Sequence, residues 1–371
     1  MTTPDTFHGW VSHSPTTPLT LTTFTPKPFT ETDIEIRITH CGICGTDVHT
    51  LRSGWGPTDY PCVVGHEIIG IVTRVGREAS FPPNSPSALQ IGDRVGIGAQ
   101  CHSCFEPTCD ACTSNQESYC PQIVSTYNSR WYLRETKRRG GEKTYGGFAR
   151  TWRGPADFVF KIPDALPSAQ AAPLLCAGVT MFTPLRKYGA GKGRAVGIVG
   201  IGGLGHLGVM FAKALGCESV VGISRTGGKE AEVRALGADG FIATAETGWE
   251  RKWSRSLDLI ICTVDGDDMP LEGYLKLLKM DGTFVQVGAP EKPLPRLMAW
   301  ALIQKGVKVT GSNIGSREDI SEMLRVAAEK QVLPWVESRP MEEVNATLKD
   351  MEAGKARFRY VLENAEKESR L

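Results

Sequence analysis

The sequence of 371 residues lacks an excess of charge of either sign. Its 42 Lys and Arg residues nearly balance 41 Asp and Glu residues, so no strong field favours nucleic acid or an anionic membrane as a partner. The longest weakly charged stretch, residues 195–216, is glycine-rich and contains His206 and Lys213, which predicts a buried strand, turn and helix rather than a membrane span. A basic start followed by an apolar run is also missing, so no secretory signal is expected. These absences predict a soluble cytoplasmic protein.

The length exceeds what one ordinary core accommodates, so we expect two domains. Residues 1–167 are typical of strands and loops, with alternating apolar residues at 34–38 and an apolar run at 68–75. Residues 168–314 alternate short apolar strands with helical patterns, which predicts a doubly wound parallel sheet of the Rossmann type in an α/β protein. We assign residues 315–371 to the first domain. The strands predicted for the Rossmann domain are 195–199, 220–223, 257–262, 283–287 and 307–310.

A glycine motif follows the first of these strands and precedes a helical pattern. Gly200-Ile201-Gly202-Gly203-Leu204-Gly205 is a G-x-G-x-x-G, which in this context indicates a dinucleotide site. The first glycine permits a tight turn, the second lets the backbone approach a pyrophosphate, and the third brings helix and strand together. The alternative is a structural turn without a ligand. We expect the cofactor to contact Gly200, Gly202, Gly203, Leu204 and Gly205.

The end of the second strand bears on the choice of cofactor. An NAD site has a carboxylate there, about 20 residues after the glycines, that binds the ribose 2′-hydroxyl. This sequence has Ser224-Arg225-Thr226 instead, followed by Lys229. A hydroxyl and two cations suit a 2′-phosphate, which favours NADP(H). The alternative is a solvated strand end, with Arg225 at the surface.

Eleven cysteines are present, and five of them lie between Cys101 and Cys120. An intracellular protein keeps such thiols reduced, so their clustering indicates a metal site rather than disulfides. Four thiolates in one loop are the ligands of a closed structural zinc site. Cys101 is an alternative first ligand to Cys104. The expected ligands are Cys104, Cys109, Cys112 and Cys120.

A second possible metal site is dispersed along the chain at Cys44, His66-Glu67 and Cys176. Two thiolates and one imidazole leave zinc an exchangeable fourth position, as in catalytic sites. The surrounding segments resemble those of the zinc-dependent medium-chain alcohol dehydrogenases. The matching segments are Cys41-Gly42-Ile43-Cys44-Gly45-Thr46-Asp47-Val48-His49, Gly65-His66-Glu67-x2-Gly70-x5-Gly76 and Cys176-Ala177-Gly178-Val179-Thr180. Within that family, Gly54-Trp55-Gly56, Tyr145-Gly146-Gly147-Phe148, Ser224-Arg225 and Gly311-Ser312 are similar to the cinnamyl alcohol dehydrogenase branch.

The resemblance implies a GroES-like catalytic domain beside the Rossmann domain, two zinc ions per chain and a homodimer. It implies that Cys44, His66 and Cys176 hold the catalytic zinc, with Glu67 near or on the metal. Asp47 would fix the tautomer of His66, and Thr46 and His49 match the family's proton relay. We also expect the cofactor to contact Thr180, Val287 and Ser312. The sequence departs from the family by two residues inserted after Cys104.

The predicted activity is NADPH-dependent interconversion of an alcohol and a carbonyl compound. Trp55, Leu51 and Tyr60 suggest an apolar pocket wall for aromatic or longer aliphatic aldehydes. The alternatives on the same scaffold are an NAD-dependent polyol or secondary-alcohol dehydrogenase, and an imine or activated C=C reductase. An NADPH-binding structural protein is the alternative without catalysis. The final Ser369-Arg370-Leu371 resembles the Ser-Lys-Leu peroxisomal address, so a peroxisomal location is the alternative to the cytoplasm.

Overall fold

The computed structural model describes residues 5–79, 89–264 and 266–365. The strands are β1 Phe7–Val11, β2 Thr20–Phe24, β3 Asp33–Gly42, β4 Glu67–Val75, β5 Arg94–Ile97, β6 Gln100–His102, β7 Val124–Ser125, β8 Arg130–Leu133, β9 Arg138–Lys143, β10 Thr151–Pro155, β11 Val159–Lys161, β12 Ala195–Val199, β13 Ser219–Ser224, β14 Gly240–Ala243, β15 Leu257–Cys262, β16 Leu278–Gln286, β17 Lys308–Gly311, β18 Val336–Pro340 and β19 Arg359–Glu363. The α-helices are α1 Gly45–Leu51, α2 Asp110–Thr113, α3 Ser168–Pro173, α4 Val179–Lys187, α5 Gly205–Ala214, α6 Glu230–Ala235, α7 Trp249–Lys252, α8 Leu271–Leu277, α9 Trp300–Ile303, α10 Arg317–Lys330 and α11 Val344–Glu352. A π-helical turn spans Leu174–Gly178, and short 3₁₀ turns span Glu117–Tyr119, Ala156–Phe158, Gly227–Lys229 and Met341–Glu343.

The chain forms two compact units. One contains the described residues up to Cys176, together with Ser316–Ala328 and the residues from Leu333 onward, and the other contains Ala177–Gly315 and Glu329–Val332. The first boundary therefore lies nine residues beyond the predicted one at 167/168, because α3 packs on β3 and β4 of the first unit. The second boundary lies one residue beyond the predicted one at 314/315, and the last two residues of α10, Glu329 and Lys330, belong to the second unit.

The first unit is built on a sheet in the order β11-β5-β4-β3-β19-β18, with β10 also paired to β3. Strand β3 alternates as the sequence predicts, and Ile34, Ile36 and Ile38 are fully buried on one face. Its antiparallel register with β4 places Gly42 opposite Glu67. Strand β19 pairs with the same end of β3. The end of β3, the start of β4 and the start of β19 thus meet at one place in the sheet.

The second unit contains a parallel sheet in the order β14-β13-β12-β15-β16-β17. Counting from β12, this is the order 3-2-1-4-5-6 of a doubly wound dinucleotide-binding sheet, and the predicted Rossmann fold is confirmed. Apolar side chains such as Ile223, Ile260 and Phe284 form its core. Strand β14 was not predicted, because its four residues Gly240–Ala243 are too short for a recognisable pattern.

A hairpin of two short strands follows β7 along the chain. Residues 130–143 form an antiparallel hairpin of β8 and β9, whose turn contains Lys137 in the left-handed conformation.

In the described part of the chain, no helix has the length and apolar character needed to cross a membrane. The terminal Ser369-Arg370-Leu371 lies outside the described residues.

Candidate active site and cysteine clusters

Cys44, His66, Glu67 and Cys176 come together in the first unit, and all four are buried. Cys44 is the N-cap of α1, directly after β3, and His66 precedes the first residue of β4. Cys176 lies in the π-helical turn between α3 and α4. A π-helical turn widens a helix locally and is often found at functional sites. Three separate segments thus place their side chains at one point, although 110 residues separate His66 from Cys176.

The geometry of this group suits a tetrahedral metal ion. One ligand atom from each residue lies within 4.8 Å of the others. The Sγ atoms of Cys44 and Cys176 are 3.9 Å apart, close to the edge of about 3.8 Å that Zn–S bonds of about 2.3 Å imply for a tetrahedron. The Nε2 atom of His66 lies 3.1 Å from Cys176 Sγ. The donor atoms therefore fit zinc without a change of backbone.

Asp47 organises the segments around this group. Its Oδ1 atom accepts the Gly65 amide at 2.9 Å and faces His66 Nδ1 at 3.1 Å. Its Oδ2 atom accepts the Cys44 amide at 2.8 Å. The contact with Nδ1 leaves Nε2 of His66 directed at the thiols, which is the tautomer that a metal ligand needs.

Neighbouring side chains oppose the effect of burial on the pKa values of Cys44 and His66. The hydrogen bond with Cys176 lowers the pKa of Cys44 well below its ordinary value, although burial acts in the opposite direction. Burial disfavours the His66 cation, yet Asp47 and Cys44 together raise the pKa of His66 well above its ordinary value. The site thus stabilises a thiolate at Cys44, which is the form that binds metal.

Arg359 belongs to this site and was missed in the sequence. Its guanidinium donates to Glu67 Oε1 across 292 residues of chain, and both side chains are buried. Burial raises the pKa of Glu67 to about 7 even though Arg359 acts to lower it. Glu67 Oε2 makes no hydrogen bond within the described structure and so has a lone pair free for a cation. An arginine at the start of the apolar β19 was the available signal, because a charge in a buried strand needs a partner.

The second cysteine cluster contains Cys104, Cys109, Cys112 and Cys120. Its sulfur–sulfur distances are 3.7 Å for Cys104–Cys112, 3.9 Å for Cys109–Cys120 and 3.4 Å for Cys104–Cys120. These are again close to the tetrahedral edge of about 3.8 Å for Zn–S bonds of about 2.3 Å. Cys101 lies apart from the cluster, and its thiol donates to the Val124 and Ser125 carbonyls.

The residues inserted after Cys104 leave this geometry intact. Phe105 takes the left-handed conformation, with φ of 49°, and its ring packs on Phe158 and under the Arg317 guanidinium. Glu106 accepts a hydrogen bond from the Tyr132 hydroxyl at 3.0 Å. The longer loop is therefore anchored by its own contacts, and its cysteines still converge.

The residues predicted for the proton relay lie on α1. Thr46 and His49 are three residues apart and so share one face of the helix, and Thr46 Oγ1 is 3.7 Å from Cys44 Sγ. Trp55 stacks on the His49 ring. Among the residues predicted for the pocket wall, Tyr60 donates its hydroxyl to the Leu51 carbonyl at 2.7 Å.

The glycine motif lies at the carboxyl end of β12 and opens α5. Gly200 has φ of +84°, which only glycine adopts readily. A Cβ at Gly205 would overlap the Gly200 carbonyl, whereas a Cβ at Gly202 would meet nothing within 4 Å. The motif therefore combines close helix–strand packing with open space at Gly202.

A cavity of about 500 Å³ lies over this motif. Of the residues predicted for the cofactor, Gly200, Gly202, Gly203, Leu204, Ser224, Arg225 and Lys229 line it. Gly205, Thr180, Val287 and Ser312 are not among its described lining residues. The lining also contains residues that were not predicted, because the chain folds back to reach the cavity: Thr244, Thr263, Val264, Asp268, Met269, Pro270 and Tyr274.

Comparison with known proteins yields the same two parts. Residues 30–164 match the model of the alcohol dehydrogenase GroES-like domain, and residues 203–329 match that of the zinc-binding dehydrogenases. The GroES-like fold predicted for the first domain is thereby confirmed.

Relatives and solved structures match nearly the whole chain. NADP-dependent alcohol dehydrogenase 6 of Saccharomyces cerevisiae is 39% identical over 352 residues, which is 94% of this chain and 93% of that protein. A cinnamyl alcohol dehydrogenase structure from Sorghum bicolor has a TM-score of 0.88 at 37% identity, and the match covers 98% of this chain and 100% of that one. The CAD of Helicobacter pylori, solved with NADP(H), has a TM-score of 0.84 at 30% identity and covers 96% of this chain and 98% of its own. The chain belongs to the zinc-dependent medium-chain alcohol dehydrogenases, in the branch that contains the cinnamyl alcohol dehydrogenases.

Proposed function

We propose that this protein is a zinc-dependent, NADPH-preferring alcohol dehydrogenase that reduces bulky aromatic or longer aliphatic aldehydes. The observation that carries the proposal is the buried group of Cys44, His66 and Cys176, with His66 oriented by Asp47. Two thiolates and one imidazole are a ligand set for a catalytic zinc that retains an exchangeable position. A panel of aldehydes assayed with NADPH and NADH tests the activity, and failure to reduce any of them would contradict it.

The residues of the site have separate roles. Cys44, His66 and Cys176 would hold the metal, and Glu67 balances the charge of Arg359. Asp47 fixes the imidazole so that Nε2 faces the metal position. When bound, zinc supplies a Lewis acid for the carbonyl oxygen, and NADPH supplies the hydride. Cys104, Cys109, Cys112 and Cys120 would hold a second, structural zinc.

Reduction of an aldehyde also consumes a proton, and we assign its delivery to Thr46 and His49. The Thr46 hydroxyl is adjacent to Cys44 Sγ and can donate toward the substrate oxygen while it accepts a proton from the helix side. His49 lies one turn further along the same face of α1. An imidazole at that place can take a proton from solvent and pass it inward from a ring nitrogen.

The cavity over the glycine motif supports NADP(H) as the cofactor. Gly202 leaves open space for the pyrophosphate at the start of α5. Ser224, Arg225 and Lys229 line the same cavity at the end of β13, and no carboxylate occupies the position that binds a ribose 2′-hydroxyl in NAD sites. We infer that these three residues bind the 2′-phosphate. Thr180, Val287 and Ser312 stay proposed contacts for the rest of the cofactor.

Replacing Arg225 with glutamine should raise the KM for NADPH by about 10- to 100-fold, because a charge-assisted hydrogen bond contributes about 1.5–3 kcal/mol. The kcat/KM with NADH should change little, since NADH has no phosphate at that position. Arg234→Gln is the matched control, because Arg234 pairs with Glu230 on the neighbouring α6 and does not line the cavity within the described structure. Equal losses with both cofactors would contradict recognition of the 2′-phosphate by Arg225.

The substrate class rests on the apolar residues that follow α1. Trp55 and Leu51 offer aromatic and aliphatic surface close to the relay residues, and Tyr60 presents its ring while its hydroxyl is bound to the backbone. Such a surface suits an aromatic or longer aliphatic aldehyde. The cinnamyl alcohol dehydrogenase from Sorghum bicolor supports the same class.

We also infer a homodimer formed through the second unit. Trp300 and Ile303 lie three residues apart on α9 and are 61% and 63% exposed, and Met298 beside them is 69% exposed. Strand β17 ends the parallel sheet, so its outer backbone groups can pair with a second chain. An exposed apolar helix that precedes an edge strand along the chain is compatible with a self-complementary interface.

The double variant Trp300→Ser/Ile303→Ser should therefore sediment with the mass of one chain, whereas the native protein should sediment with the mass of two. The substitutions remove two of the three exposed apolar side chains named above, and burial of such side chains favours association. Leu21→Ser is the control, since Leu21 is an exposed apolar residue of β2 in the other unit. A native protein with the mass of a single chain at micromolar concentration would overturn the inference.

We infer a cytoplasmic location from the balanced charge and from the eleven cysteines, which form no disulfide in the structure. The terminal Ser369-Arg370-Leu371 supports a peroxisomal pool as the alternative. Imaging the protein with its C-terminus free, and again with the terminus masked by a fusion, distinguishes the two.

A further inference from the structure

Trp55 lies flat against the imidazole of His49. The two ring centroids are 4.4 Å apart and the ring planes differ by only 16°. Trp55 is nevertheless 46% exposed, so burial in a core does not account for its position. This large side chain therefore contacts the residue assigned to the outer end of the proton relay.

The backbone after α1 is shaped to produce this stack. Helix α1 ends at Leu51, and Ser53 then takes the left-handed conformation with φ of 56°. This turn brings the Gly54 amide back to donate to the His49 carbonyl at 2.8 Å, the pattern of a helix C-cap. Trp55 is the next residue, so the cap carries its indole over the turn that contains His49.

Contacts further along the chain hold the cap in place. The Thr58 hydroxyl donates to the Thr50 carbonyl at 2.6 Å, and the Thr58 amide donates to Ser53 Oγ at 3.2 Å. The Tyr60 hydroxyl donates to the Leu51 carbonyl at 2.7 Å. The loop from 52 to 60 is thus tied to the last turn of α1 at several points, and the position of Trp55 is a property of a defined turn.

We propose that Trp55 is a positioning residue for His49 in the proton relay. This inference rests on the proposed function, because it requires His49 to deliver the proton. The stacked indole restricts rotation of the imidazole about its side-chain bonds and covers one face of the ring. Both nitrogens lie on the ring edge, so the stack leaves the proton-carrying atoms accessible while it holds their direction. Proton transfer depends strongly on such alignment.

A pocket-wall role alone, without the positioning of His49, makes a different prediction. A wall contacts the substrate, so its removal acts on KM and depends on the size of the aldehyde. A positioning residue for the relay acts on kcat, and to the same extent for small and large aldehydes. Its effect also disappears when the residue that it positions is absent.

The experiment compares native protein with Trp55→Ala, Trp55→Phe, His49→Gln and the double variant Trp55→Ala/His49→Gln. Each is assayed with NADPH and with butanal and cinnamaldehyde. Trp55→Ala should lower kcat by about 2- to 12-fold for both aldehydes, since aromatic stacking is equivalent to about 0.5–1.5 kcal/mol. Trp55→Phe should retain most of the rate because it keeps a flat ring. The solvent deuterium isotope effect on kcat should rise in Trp55→Ala as proton delivery becomes slower.

In the His49→Gln background, Trp55→Ala should change kcat less than about twofold. An equal loss in both backgrounds, or a loss confined to the KM of cinnamaldehyde, would overturn the positioning role. If His49→Gln keeps the native rate, His49 does not deliver the proton. That result would also overturn this inference. Failure of the proposed activity would show as the absence of aldehyde reduction in the native protein.

A spectroscopic measurement tests the stack without reference to activity. The chain has seven histidines, so histidine-labelled protein gives few ring signals, and the His49 signal is the one missing in His49→Gln. The ring current of a stacked indole should shift this signal upfield. The shift should disappear in Trp55→Ala and persist in part in Trp55→Phe. A His49 signal that is unaffected by either substitution would overturn the inference.

Discussion

Replacement of Cys44 by serine should reduce NADPH-dependent aldehyde reduction by a factor on the order of 10³ or more, since a metal Lewis acid contributes several kcal/mol to such a reaction. Zinc content should fall from about two ions per chain to about one, because the second cysteine cluster is intact. The serine hydroxyl stays protonated at neutral pH and is a poor replacement for a thiolate. The native site stabilises that thiolate, since Cys176 and His66 lower the pKa of Cys44.

Cys62→Ser provides the matched control for this variant. Cys62 is fully buried in the same unit, and burial raises the pKa of its thiol to about 12, so it stays protonated and binds no metal at neutral pH. This variant should keep both its zinc and its activity. Elemental analysis together with the initial rate measures both effects. Two zinc ions in Cys44→Ser, or the loss of one in Cys62→Ser, would show that the catalytic metal site is assigned to the wrong residues.

Replacement of Arg359 by methionine should lower the free energy of unfolding by about 3–5 kcal/mol, because it leaves Glu67 buried without its partner. Both side chains of the native pair are almost fully buried, at 3% and 0% exposure. Burial already holds the pKa of Glu67 at about 7 with Arg359 present. Removal of the cation raises that pKa further and makes the ionised carboxylate more costly. Urea unfolding of the zinc-loaded protein measures the effect.

Two further variants separate charge from packing at this position. Arg359→Lys keeps a cation and should recover part of the stability, although an ammonium cannot reproduce the fork of a guanidinium. The double variant Glu67→Gln/Arg359→Met removes both charges and should be more stable than Arg359→Met alone. If Glu67→Gln makes the Arg359→Met variant less stable, the pair is not the reason for the loss.

The features predicted well from the sequence are those formed by residues that lie close together along the chain. The glycine motif works through the backbone of six consecutive residues; its strand has the predicted bounds, and the helix begins at the last glycine of the motif. The four cysteines of the second cluster lie within 17 residues, so the loop that contains them could be recognised before any fold was known. The choice between Cys101 and Cys104 was different, because it depends on where β6 and β7 direct each thiol.

The sequence by itself determined the two-part organisation, the dinucleotide motif and the family resemblance, since periodicity and short motifs depend on neighbouring residues. Only the tertiary structure decided which distant groups meet. It joined Glu67 to Arg359 across 292 residues, assembled the cofactor cavity partly from unpredicted residues such as Tyr274, and stacked Trp55 on His49. The physical reason is that these contacts depend on strand order and on the path of the turns, and patterns of neighbouring residues do not specify either.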